Sequence, residues 1–138
     1  MGTRYKLLLC VLVIAFPGAA CGATGSIDLA GTRWRLIELN GRAPFSTGTP
    51  PTLNFETRDR AGGNSGCNIY NGTYRVSGVA ITFSDFASTK RACLDPALNA
   101  QEAEFYQALG AVTSLELTGG ELLLKDGNGA TRLRFTRQ

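Results

Sequence analysis

The chain has 138 residues, 43% of them apolar and 18% charged, a size and balance that fit one globular domain rather than a disordered segment. Its formal charge is +3, but Arg4 and Lys6 sit in a leader-like stretch, and without them twelve basic residues face eleven acidic ones. So slight an excess, with no cluster and no charged tail, argues against nucleic-acid binding, which needs massed Lys and Arg to displace counterions.

Arg4 and Lys6 precede the ten-residue apolar run LLLCVLVIAF (7–16), and PGAACGA then supplies a helix breaker and small residues. That order predicts an export signal over 1–20; ten apolar residues are too few to span a bilayer, which takes about 20. GAAC (18–21) is similar to a bacterial lipobox, although Gly18 stands where that pattern has Leu or a similar residue. Cys21 is therefore expected to be the acylated first residue of the mature chain. The alternative is ordinary cleavage after Ala20 or Ala23. Cysteine count favours acylation: Cys10 leaves with the leader, Cys67 and Cys93 can pair, and Cys21 would otherwise be an odd exported thiol. Residues 21–28 are small and flexible, as a tether would be, and join a domain over 29–138. The expected location is the periplasmic side of a cell envelope, lipid-anchored, with a soluble periplasmic or secreted form as the alternative.

TRWRLIELN (32–40) alternates with the period of a strand, and the turn-rich GRAPFSTGTPP (41–51) follows. TLNFET (52–57) places Leu53 and Phe55 on one face. GTYRVSGVAITFSD (72–85) reads as a hairpin turning at Ser77 and Gly78. DPALNAQEAEFYQALGAV (95–112) breaks the period, with Leu98, Phe105, Leu109 and Val112 at helical spacing. Asp95 suits the cap and Pro96 the first turn, or Asn99 and Glu102 form a capping-box variant; Gly110 marks the expected end. The last segment, 112–137, reads as three strands split by Gly119-Gly120 and by 126–129. The expected fold is mainly β, a small antiparallel barrel-like domain of about 7–8 strands with one inserted α-helix. A two-layer sandwich would also satisfy the count, but closure removes exposed edges. Trp34, Phe55, Tyr74, Phe83 and Phe135 are expected to fill the interior.

Histidine is absent, which removes Ser–His and Cys–His nucleophile pairs and imidazole-bound metals. Two cysteines in the body of the domain are too few for structural zinc, and no loop has calcium-binding spacing. GGNSG (62–66) runs into a strand with no lysine after it, so it does not read as a phosphate loop. Glu102 and Glu104 read as a solvated helix face. No catalytic residue, cofactor or metal is therefore expected, and no enzyme. Ser88, Thr89, Lys90 and Arg91 form a polar stretch, either an anion site or a solvated loop. In an exported domain, Cys67 and Cys93 are expected to form a disulfide worth roughly 3–4 kcal/mol; the alternative is two reduced, buried thiols. Gly62, Gly63 and Gly66 would supply positive φ in that corner, and Asn64 and Asn68 local backbone bonds.

GGNSGCNIYNGTY (62–74), ASTKRAC (87–93) and ELLL (121–124), in that order, resemble the META-domain or HslJ-like family from 29 to 135. Gly66, Cys67 and Asn68 match its S-G-C-N element, and Ser88, Thr89 and Cys93 its A-S-T-x-x-x-C element; Lys90-Arg91-Ala92 replaces a stretch that often holds Met. The resemblance implies a small β-barrel-like domain with one helix, exported or lipid-anchored in bacteria, linked to envelope stress and drug tolerance and without established catalysis. The expected function is a non-enzymatic envelope protein. It would touch an unidentified envelope protein or cell-wall component through a patch of Asn68, Ser88, Thr89 and Arg91, and a membrane through Cys21. The alternative is a barrel that binds a small molecule inside.

Overall fold

The computed structural model describes Met1 and residues 25–45 and 48–138. The export signal, Cys21 and the first half of the tether lie outside the described residues.

Among the described residues, eight strands and one helix follow in order: β1 (Thr32–Leu39), β2 (Thr52–Phe55), β3 (Arg60–Asn64), β4 (Ile69–Ser77), β5 (Ala80–Ser88), α1 (Pro96–Ala111), β6 (Val112–Thr118), β7 (Glu121–Asp126) and β8 (Thr131–Arg137). Each strand pairs antiparallel with the next, and β8 returns to β1, so the sheet closes as a barrel. The mainly β barrel with one helix is the expected fold. Alternation explains the inside: Trp34 and Leu36 on β1, Leu53 and Phe55 on β2, Tyr70 and Tyr74 on β4, Leu122 and Leu124 on β7, and Leu133 and Phe135 on β8 are all buried. Phe55 meets Tyr74 edge-on, with ring centroids 4.7 Å apart. Phe83 is the exception among the five expected core aromatics; it is half-buried and stacks on Phe86 at 6.0 Å.

One seam is thin. β5 and β6 share a single paired position, Ala80 with Ser114, and α1 packs against β5, β8 and β1 beside it. Asp95 caps α1 by accepting from Ala97 N at 2.8 Å, and Pro96 takes the first turn. The helix does not stop at Gly110. It runs to Ala111, and Val112 turns directly into β6 while its N–H still bonds Leu109 O. A buried Val112 anchors that turn, so no left-handed glycine is needed.

The glycine corner also differs from expectation. Gly62 and Gly63 belong to β3, and of the three glycines only Gly66 has positive φ, at 108°. What β3 needs is the missing side chain. A Cβ on Gly62 would sit 2.6 Å from Tyr70 O, and one on Gly63 would collide with Thr52 O. The following hairpin is longer than its alternation suggested, extending to Ile69 and Ser88 and turning at Gly78 and Val79.

Antiparallel alternation sorts the connections between two ends. One end holds the entering chain at 25–31 and the turns around 56–60, 78–79 and 119–120, with buried Leu29 packed into the core. The other holds the 65–68 loop, α1 and the 127–130 turn.

Candidate functional site

The second end contains the two cysteine motifs. After β3 the chain turns sharply: Gly66 N donates to Asn64 Oδ1 at 2.6 Å, and Ser65 N to Asn68 O at 2.8 Å. Cys67 is thereby aimed at Cys93, and the two form a disulfide with Cα atoms 5.8 Å apart. Beyond the bridge, Asn99 on α1 holds Cys93 at both backbone groups, accepting from its N at 3.1 Å and donating to its O at 3.2 Å.

Asn68 lies under the bridge and is 2% exposed. Its amide nitrogen donates to Arg91 O at 3.0 Å and to Glu102 Oε2 at 2.9 Å. Its amide oxygen accepts from Thr89 Oγ1 and Arg91 N, both at 2.9 Å. Two donors and two acceptors are the full capacity of an asparagine amide, so nothing remains for an outside ligand. The other oxygen of Glu102 contacts the hydroxyl of Ser65, which is also buried. One asparagine thus ties the loop after β3, the segment after β5 and the helix into a single unit.

This geometry divides the expected contact patch. Asn68 faces inward, because four partners converge on its amide. Thr89 spends its hydroxyl on Asn68, and Ser88 ends β5 half-buried opposite Tyr70. Lys90 and Arg91 remain exposed. The Arg91 guanidinium donates to Cys67 O at 3.3 Å, so it braces the corner rather than completing an anion cradle. Beside the bridge lies a groove of about 380 Å³, with Cys67, Arg91, Cys93, Leu94 and Leu98 on its walls. Leu94 is fully exposed and Ile69 is 59% exposed.

Glu102 and Glu104 correct a second expectation, for neither is merely a solvated face. Glu104 accepts from Asn40 Nδ2 and from Arg42, each at 2.8 Å. The Asn40 hydrogen bond holds its carboxyl below the usual range; desolvation opposes this, and Arg42 adds to the lowering. Glu102 and Ser65 were not legible as partners of Asn68. Asn99 was visible only as an alternative capping residue, whereas it bonds the backbone of Cys93. Across the barrel, burial raises the Asp126 carboxyl, but bonds from Arg132 and from the N–H groups of Asn128 and Ala130 outweigh it and leave it lowered. Among the described residues, no three His, Cys, Asp or Glu side chains are grouped to hold a metal.

With this geometry in place, the similarities to known proteins are specific. A family model described as META domain matches residues 27–138. Heat shock protein HslJ of Escherichia coli (strain K12) is 28% identical over 92 residues, which cover 67% of this chain. The chain spans 65% of that relative's length. An NMR structure of a protein from Burkholderia xenovorans superimposes with a TM-score of 0.64 at 28% identity, covering 99% of this chain and 98% of that one. A second NMR structure gives 0.63 at 25% identity over 78% of this chain and 90% of the other. Both solved structures share the barrel fold, and the chain belongs to the META domain family.

Proposed function

We propose that this is a non-enzymatic envelope protein that acts by touching another envelope protein or a cell-wall component, and that residues 89–94 are the contact. The observation that carries the reading is the way this segment is held. Asn68 bonds Arg91 N and O, the disulfide fixes Cys93, and Asn99 brackets the Cys93 backbone, while Lys90, Arg91 and Leu94 point to solvent. A loop fixed at this many points loses little conformational freedom on binding, which favours a contact surface. The buried aromatics fill the barrel and argue against a ligand inside it. The name of the Escherichia coli relative, a heat shock protein, supports a role under stress, and the lipobox-like GAAC supports an exported, lipid-anchored form.

The test is crosslinking in intact cells under heat stress, comparing the wild type with Lys90→Ala/Leu94→Ser. Both side chains are exposed and outside the Asn68 network, so the variant should melt like the wild type. Loss of the crosslinked species supports the reading. An unchanged crosslink pattern removes 89–94 as the contact.

A further inference from the structure

The opposite end of the barrel has its own surface. The β4–β5 turn exposes Val79 by 64%, and the β6–β7 hairpin exposes Leu117 by 43%. The β4–β5 turn lies against β6 two residues before Leu117, since Leu115 N donates to Val79 O at 2.8 Å. Four exposed arginines, Arg33, Arg60, Arg75 and Arg137, occupy strand positions towards this end and have no carboxylate within 4.0 Å among the described residues. The carboxylates here are mostly engaged: Asp28 with Arg58 at 3.5 Å, Glu116 with Lys125 at 2.5 Å and Glu121 with Arg134 at 3.9 Å. Glu56 and Asp59 are left, two acids against four arginines.

This is also where the chain enters. Ser26, Ile27, Asp28 and Leu29 lie against Arg58, Tyr74 and Val76. Cys21 is four residues before Gly25, no more than about 14 Å of extended chain. We infer that this end rests on a bilayer with anionic headgroups: Val79 and Leu117 enter the interface, the arginines meet the phosphates, and the disulfide end faces away. Exposed apolar side chains at the β4–β5 turn and on β6, with arginines on β1, β3, β4 and β8 towards the same end, suit the interface of a membrane, where one part of the surface is apolar and the next charged. The orientation draws on the reading of an envelope protein but does not depend on 89–94 being a contact. It makes that loop the outermost part of the molecule.

The test uses the mature sequence from Gly22 onward, so that neither the apolar leader nor an acyl group on Cys21 contributes. A reporter is placed as Val79→Trp or, independently, Leu117→Trp, with Leu94→Trp at the far end as the control; Trp34 is buried and constant. Vesicles of phosphatidylethanolamine and phosphatidylglycerol should shift the 79 and 117 reporters to shorter wavelength and shield them from an aqueous quencher, leaving 94 unchanged. Vesicles of phosphatidylcholine alone should bind more weakly, and salt should weaken the anionic case. Leu117→Asp should lower partitioning about tenfold, and Arg75→Ala about fivefold. No shift at 79 or 117, a shift at 94, or partitioning indifferent to Leu117→Asp overturns the inference. A crosslink lost at 89–94 alongside failed vesicle binding would separate the two readings.

Discussion

Asn68→Ala tests the account of the disulfide corner. The substitution removes four hydrogen bonds, to Arg91 N, Arg91 O, Thr89 Oγ1 and Glu102 Oε2. Neutral bonds contribute about 1 kcal/mol each and the bond to the carboxylate about 1.5–3 kcal/mol, so simple addition gives about 5 kcal/mol. Thr89 and Arg91 are exposed and water can reach them, which reduces the expected loss to about 3 kcal/mol. Urea denaturation of the oxidised protein at neutral pH would show a lower midpoint with an unchanged slope. Asn68→Asp sharpens the test by placing a second carboxyl 2.9 Å from Glu102 Oε2. The two carboxyls would share a proton, raising the folded pair's apparent pKa. A raised carboxyl pKa costs stability above it, so this variant should recover towards the wild type as pH falls from 7 to 5. A loss below about 0.5 kcal/mol for Asn68→Ala, the size of an ordinary surface change, would refute the hub, as would a pH-independent deficit for Asn68→Asp.

Two further outcomes are expected. Replacing Cys67 and Cys93 together by Ser opens a span of 26 residues and should cost about 3–4 kcal/mol on the chain-entropy account, measured by urea midpoint, with Asn68→Ala producing a larger loss in the reduced background than in the oxidised one. Glu104 and Asp126 both have carboxyls lowered in the fold, so the stability they add is present above the unfolded carboxyl range and is lost as pH falls through their folded values. Melting followed from pH 6 down to pH 2 should show that decline, and Glu104→Gln/Asp126→Asn should flatten it; an equally steep curve in the double variant would refute the assignment.

Much of the barrel is legible along the chain because its causes are local. Trp34 and Leu36, Leu122 and Leu124, and Leu133 and Phe135 alternate as a half-buried strand must. Gly119-Gly120 separates two such runs, and Asp95-Pro96 opens a run of helical period. The pairing of Cys67 with Cys93 followed from counting cysteines. β3 was hidden because RAGGN carries Ala61 as its one apolar side chain, too little to show a period. The reason for its glycines lies in other strands, at the carbonyls of Thr52 and Tyr70.

The site divides in the same way. Residue type and spacing marked the motifs around Cys67 and Cys93, and with them the family, but not which side chains would face outward. Asn68 and Arg91 read alike as polar loop residues. The fold buried one against four partners and left the other in solvent. Glu102 looked like part of a charged helix face until α1 was laid over the barrel end, bringing it to Asn68 and Ser65 from 34 and 37 residues away. By itself the sequence determined where the chain alternates, turns and crosslinks, since those depend on neighbouring residues. Only the tertiary structure decided which polar groups are consumed inside, because an amide's partners are set by the packing of distant segments.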